Sequence, residues 1–302
     1  MGSKIMRCDQ LARLGNHHLA GQFIFEVKSA PYTPESVPSF INDVKDSVVI
    51  VLKNSVGRMD PDARGKLKDA ARAICVDWVD VPPSSGSKEY FDVHIAASNS
   101  GLEKINKFIK DHKNDLRPSV SSQLVRHGYD PMVDEFTSQV RHNPQLKLVY
   151  FGSPKSTICP EHLKERVEWL SYNQKDAKGG FANLATFDMH YAVRPSMSGN
   201  FERRRIHPFT KGVTAAALGQ NILVDRGAPD AVYYLGEDYP YLIADNSESS
   251  IQAGLEYAYD SFDGPEWRRG LEIMENVAAQ SSQEMVVADL KKAIDTAMQI
   301  TA

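Results

Sequence analysis

A chain of 302 residues has room for two domains with separate cores. Hydrophobic residues at 42% and charged residues at 25% exclude a disordered or fibrous chain, and a formal net charge of −4 argues against broad, charge-driven binding of nucleic acid while leaving room for local basic pockets. Cys8, Cys75 and Cys159 are too scattered for a disulfide framework or metal cluster, no apolar run reaches membrane-span length, and the first residues are not a signal peptide, so a soluble, cytoplasmic protein is predicted.

The first element predicted is a helix over Ile5–Leu14, stopped by Gly15 and Asn16, with no strand before it. Phe23–Val27 reads as a strand, Ser39–Lys45 as a short helix, and the β-branched run Val48–Leu52 as a strand inside a parallel sheet. A helix from Pro61 to about Ala73, a strand over Ile74–Val79, a strand over Tyr90–Ala97, a helix over Gly101–Lys110 and a strand near Gln123–Val125 follow. After the connection Pro131–Asn143 a second set begins: strand Leu146–Phe151, helix Glu161–Val167, short strand Trp169–Tyr172, and strand Leu184–Val193. Thr210–Gly219 reads as a helix and Asn221–Val224 as a buried strand; a strand over Tyr241–Ala244 and helices over Ser249–Tyr259, Pro265–Ala279 and Glu284–Ile300 close the chain. Alternating strands and helices predict α/β architecture: two Rossmann-like domains, residues 1–135 and 144–280, facing a central cleft, with 281–302 as a helix crossing back to the first.

The stretch Arg203–Arg226 concentrates positive charge where a helix begins. Unpaired N–H groups and the helix dipole favour an anion there, and Lys211 adds a full charge; a packed helix with a solvated basic rim is the alternative. The run Ala215-Ala216-Ala217 allows close approach to a sheet.

In parallel α/β sheets the loops after strands face the ligand. His17 and His18 follow a helix and fall on the far side, while His94 sits mid-strand as a core histidine. Asp77 and Asp80 end a strand beside Trp78, where paired carboxylates serve as general base, hydroxyl binder or metal ligand, or else as turn formers before Pro82 and Pro83. Lys53, Asn54, Ser98, Asn99 and the His127–Asp130 stretch also end strands, and Lys4 and Arg7 open the first helix on the same side. In the second half, Gly152-Ser153, Ser171-Tyr172-Asn173 and Arg194 follow strands.

The second half, from LKLVYFGSP through HPFTKGVTAAALGQNILVDR to GEDYPYLIAD, resembles the nucleotide-sugar-binding domain of glycosyltransferases of the GT-B fold. VVIVLKNS, CVDWVD, FDVHIAASNSG and LVRHGYDP are similar to their acceptor domain and interdomain linker. The resemblance covers nearly the whole chain and rests on element order rather than on one diagnostic motif. It implies a nucleoside diphosphate sugar as donor, its diphosphate on Gly152-Ser153 and on the helix opening at Thr210-Lys211-Gly212, with Lys211, Arg194 and Arg205 holding the charge and Ser171, Tyr172 and Asn173 near the base. Donors placed this way stabilise the leaving diphosphate without a metal ion or other cofactor. Lys4, Arg7, Asn54, Ser98 and His127 fall on the acceptor side, and Asp77 or Asp80 would orient or deprotonate the acceptor hydroxyl.

Two departures stand out. Many retaining members carry two glutamates eight positions apart around this helix, where this chain has Ile206 and Thr214; Asp225 or Asp188 is left to stand in. The family's opening strand and glycine-rich turn are also missing. The sequence therefore predicts a metal-independent glycosyltransferase acting on a polysaccharide, glycolipid or small-molecule acceptor, in polysaccharide biosynthesis, with peripheral membrane contact compatible and oligomeric state left open. A nucleotide-sugar epimerase or hydrolase on the same fold, and a noncatalytic glycan- or partner-binding homologue, are the alternatives.

Overall fold

The computed structural model describes residues 4–31, 33–56, 59–83, 90–116, 119–137, 143–195 and 206–300. The chain divides into two compact units: Met1–His127 with Glu202–Pro208 and Gln283–Ala302, and Gly128–Phe201 with Phe209–Ser282. No helix among the described residues is long and apolar enough to cross a membrane.

In the first unit a π-helical turn, Ile5–Asp9, runs into α1 (Gln10–His18). The predicted stop at Gly15-Asn16 does not occur. Both residues instead receive the next stretch of chain: the Phe25 ring lies where a Cβ on residue 15 would stand, and the Asn16 amide bonds the N–H and C=O of Phe25 at 2.9 and 2.8 Å. Phe23–Val27 is consequently not a strand, against the expectation from its pattern. After α2 (Val37–Asp43), the strands β1 (Val48–Leu52), β2 (Ala73–Asp77), β3 (Val93–Ala96) and β4 (Ser121–Leu124) form an all-parallel sheet in the order β1-β2-β3-β4. Between them run α3 (Pro61–Ala70), capped by Asp60, and α4 (Asn99–Asp111), whose Ser98 cap accepts from Gly101 N–H at 3.0 Å. These side chains satisfy donors that the first helical turn leaves unpaired.

In the second unit β5 (Leu148–Phe151), β6 (Val167–Leu170), β7 (Met189–Tyr191), β8 (Asn221–Asp225) and β9 (Leu242–Ile243) are parallel in the order β6-β5-β7-β8-β9. The strand predicted from Leu184 to Val193 is shorter: Leu184 ends α5 (Ala177–Leu184), which Asp176 caps through Gly179 N–H at 3.1 Å. Glu161–Arg166 is 3₁₀ rather than α. α6 (Thr210–Ala217) lies on the sheet with Val213, Ala215 and Ala216 in the core, and α7 (Ala231–Leu235), α8 (Glu248–Asp260) and α9 (Pro265–Gln280) complete the unit. The last helix, α10 (Gln283–Ile300), buries Val286, Leu290 and Ile294 in the first unit's core, and Asp289 holds Arg126 through Nε at 2.6 Å and Nη2 at 3.2 Å.

Three buried histidines make both units acid-sensitive. His94 accepts from Trp78 Nε1 at 2.9 Å and is held down to about 4 by burial. Burial likewise holds His190 down to about 3, and burial with Arg7 does the same for His127. Unfolded histidine titrates near 6.5. The folded state therefore binds fewer protons than the unfolded one as pH falls below that value, and stability is lost from pH ~6.5 down towards 4, at up to about 1.4 kcal/mol per pH unit for each histidine. The first unit holds two of the three, so hydrogen exchange followed on acidification should show it opening before the second; constant stability from pH ~6.5 to 4 would contradict neutral burial.

Candidate active site

Strand order selects the place in the second unit. β6 and β7 flank β5 on opposite sides, so the connections after β5 and β7 leave the sheet in opposite directions, the switch point at whose carboxyl ends open α/β sheets bind their ligands. Gly152 follows β5 and Arg194 follows β7. Gly152 has φ +145°, a backbone shape that calls for glycine, and Lys211 Nζ lies 3.0 Å from where a Cβ would stand. Half-buried Lys211, on the first turn of α6, donates to the Phe151 carbonyl and lies 4.5 Å from the Tyr150 ring centroid. Burial, then the neighbouring Arg194, holds its ammonium down to about 8. The structure thus brings Gly152, Arg194 and Lys211 together.

The other expected donor residues fall around this centre. The Ser153 carbonyl accepts from Tyr150 Oη at 2.7 Å. Ser171, Tyr172 and Asn173 follow β6 on the surface; Tyr172 packs edge-on against Phe151 with centroids 5.7 Å apart, and Asn173 accepts from Lys175 N–H at 3.0 Å. Thr210 opens α6, with its carbonyl accepting from Thr214 Oγ1 at 2.8 Å, and Gly212 is buried against the Phe209 ring. Arg205 lies outside the described residues. The two carboxylates left as stand-ins separate clearly. Asp188, at the amino end of β7, accepts from Asn143 Nδ2 at 3.0 Å and from Lys147 N–H at 2.9 Å, which is a structural clasp. Asp225 ends β8 at the carboxyl edge. Burial raises its carboxyl against backbone hydrogen bonds at Arg194 and Gly227, and its Oδ2 is buried without a hydrogen-bond partner.

In the first unit the carboxyl ends of the strands carry a polar cluster. Asp77 and Arg7 form a pair at 2.7 Å with side chains 2% and 1% exposed, Asp77 also accepts from Val79 N–H at 3.0 Å, and Arg7 Nη1 donates to the Arg126 carbonyl at 3.3 Å. That places Asp77 and Arg7 inside the fold. Asp80, at φ +63°, lies at the rim, where Oδ2 takes Lys53 Nζ at 2.9 Å and Oδ1 meets His207 Nδ1 at 2.8 Å. Burial would raise the Asp80 carboxyl, but hydrogen bonds from His207 and Lys53 outweigh it and hold it well below the usual carboxylate range. Ser98 is buried and donates to the Ile206 carbonyl at 2.8 Å; His127 is buried; Lys4 is exposed and pairs with Asp9 at 3.5 Å. Asn54 lies in the helical turn Lys53–Val56, with only its backbone described. The sequence reading missed His207 as a partner of Asp80: they are 127 positions apart, and no local pattern joins them.

No family model matches the chain. Among curated proteins it is 29% identical over 107 residues to the actin-like protein arp6 of Aspergillus fumigatus, a stretch that is 34% of this chain and 23% of that protein, too partial to define a family. The solved structures give a fold. A UDP-forming alpha,alpha-trehalose-phosphate synthase of Burkholderia vietnamiensis superposes with TM-score 0.59 at 8% identity, covering 86% of this chain and 77% of its own. A glycosyltransferase from Rickettsia africae gives 0.57 at 9% identity over 93% and 87%, and Anabaena HepE in complex with UDP gives 0.56 at 12% over 94% and 88%. With its two parallel-stranded Rossmann-like units, the chain has the GT-B fold of nucleotide-sugar glycosyltransferases.

Proposed function

We propose that this chain is a glycosyltransferase that takes a sugar from a nucleoside diphosphate sugar and passes it to a hydroxyl acceptor. The observation that carries the reading is the convergence of Lys211, Arg194 and the side-chain-free Gly152 at the switch point of the second unit's sheet. Two cations beside a loop without a Cβ suit a diphosphate, and their charge, rather than a metal ion, would stabilise the leaving group. Exposed Tyr172 offers a face for the base. Asp225 is the carboxylate for a sugar hydroxyl, because its Oδ2 is the one left unpartnered. On the acceptor side, an Asp80 carboxylate engaged by Lys53 and by His207 Nδ1 is a weak base; its role is to orient the His207 ring, whose Nε2 takes the acceptor proton. The acceptor is a glycan, glycolipid or small molecule, and the reaction is placed in the cytoplasm.

The test is a panel of free nucleoside diphosphates and nucleotide sugars, read first as thermal stabilisation. A ligand at ~100 times its Kd stabilises by about 2.7 kcal/mol. With a responding donor, His207→Ala should keep donor binding and lose transfer by about 100-fold or more. No stabilisation by any nucleotide would refute the donor site. Tight donor binding without turnover across acceptors would instead favour the noncatalytic reading, to which the buried Ile206 and Thr214 in place of two carboxylates lend weight.

Lys211 also sets a pH dependence. Its ammonium is charged below about 8 and neutral above it. A diphosphate favours the charged form, so affinity should fall as pH rises through 8 and binding should take up protons there. Calorimetry in buffers of different ionisation enthalpy reads the uptake directly, and a flat affinity from pH ~7 to 9 would exclude Lys211 from the phosphate contact.

A further inference from the structure

Among the described residues β1 is the edge of the first unit's sheet, pairing only with β2. Two adjoining cavities lie along that edge. One of about 730 Å³ is lined by Val48 and Ile50 together with Leu290 and Ile294 of α10; the other, of about 340 Å³, is lined by all five residues of β1 with Phe40 of α2, so the two share Val48 and Ile50. A strand alternates its side chains between the two faces of a sheet. Adjoining cavities along one edge, one reaching α10 and the other α2, therefore have the form of an unfilled strand position.

The segment Phe23–Val27 runs along both cavities: Ile24 and Glu26 line each of them. Its sequence, FIFEV, has strand character, yet among the described residues no backbone hydrogen bond joins it to β1. It is held away by the Asn16 amide on both backbone groups of Phe25, and this leaves Ile24 88% exposed and Val27 40% exposed. A bare apolar edge is a template for pairing, and the segment beside it, whose Phe23 and Phe25 pack on the core while Ile24 and Val27 stand in solvent, is a ready partner.

We propose that Phe23–Val27 is a closing strand, which leaves its Asn16 clamp and pairs with β1 as the edge strand of the first unit, filling both cavities with its side chains. The state described here is the open one. Lys53, which holds Asp80, directly follows β1, so closure steadies the strand that carries part of the candidate acid-base cluster. The closing strand itself does not depend on the chain being a glycosyltransferase.

Cys8 lines both cavities and reports their filling. In a Cys159→Ser background, with Cys75 fully buried, a small neutral maleimide should label Cys8 through the open slot. Asn16→Ala removes two hydrogen bonds that favour the open state and should slow Cys8 labelling about tenfold while protecting β1 amides from exchange to a similar degree. Ile24→Asp blocks burial of that side chain and should leave labelling as fast as wild type or faster, even when combined with Asn16→Ala. Both side chains are on the surface, so both variants should fold. Unchanged or faster labelling in Asn16→Ala, with β1 amides no better protected, would mean that release only frays the segment and would overturn the proposal.

Discussion

Lys211→Met is expected to bind nucleoside diphosphates about 100-fold more weakly than wild type while melting at a higher temperature without ligand. The two effects have one cause. The folded chain holds the Lys211 ammonium at about 8 instead of 10.5, a penalty on the charged form of the order of 3 kcal/mol at neutral pH. Because the folded pKa is depressed, the unfolded chain holds the proton more tightly between pH 8 and 10.5, so wild-type stability should rise with pH across that window. Methionine keeps the unbranched shape over the Tyr150 ring and gives up only the hydrogen bond to the Phe151 carbonyl, so the variant should lose that pH slope and gain stability. A charged contact with a diphosphate is worth about 1.5–3 kcal/mol, which sets the loss of affinity. Lys211→Arg retains charge in a space limited by Gly152 and Tyr150 and should recover part of the binding. Destabilisation of Lys211→Met with unaltered diphosphate affinity would make the lysine a structural strut and return the corner to a basic rim.

Element order and the parallel grammar were legible because they depend on local patterns: β-branched runs for β1 and β2, and the alanine run that lets α6 sit on its sheet. The grouping of Gly152, Arg194 and Lys211 was legible for the same reason, since each stands just beyond a strand or at the start of a helix. What failed was decided by distant partners. FIFEV has the composition of a strand, but whether it pairs depends on Asn16 holding Phe25 and on how β1 is reached, which no period in the sequence records. Asp77 and Asp80 looked alike at three positions' separation, whereas the fold gives one to Arg7 and the other to Lys53 and His207. Asp188 and Asp225 likewise differ by which end of a strand they occupy, a distinction that a one-strand error in reading the chain would erase.

The separation of Asp77 from Asp80 leads to the last expected result: Asp77→Ala should destabilise the first unit by about 3–5 kcal/mol, whereas Asp80→Ala should cost less stability and more activity. Asp77 and Arg7 are almost wholly removed from water at 2.7 Å, so deleting one strands the other's charge in the core and also frees the Val79 N–H. Arg7→Met with Asp77→Leu should recover much of the loss, because two apolar side chains leave no orphan charge. Denaturant unfolding of the single and double variants gives the coupling energy directly. Asp80 differs in degree: its carboxylate is at the rim, 29% exposed, beside a His207 that is 32% exposed, so water reaches much of what its loss leaves behind, and the Lys53 ammonium, 8% exposed, sets the stability that is lost. If Asp77→Ala were folded and inactive while Asp80→Ala were active, the acid-base centre would have to be moved to the buried pair, and a catalytic carboxylate would then need access to substrate that the Arg7 contact now denies it.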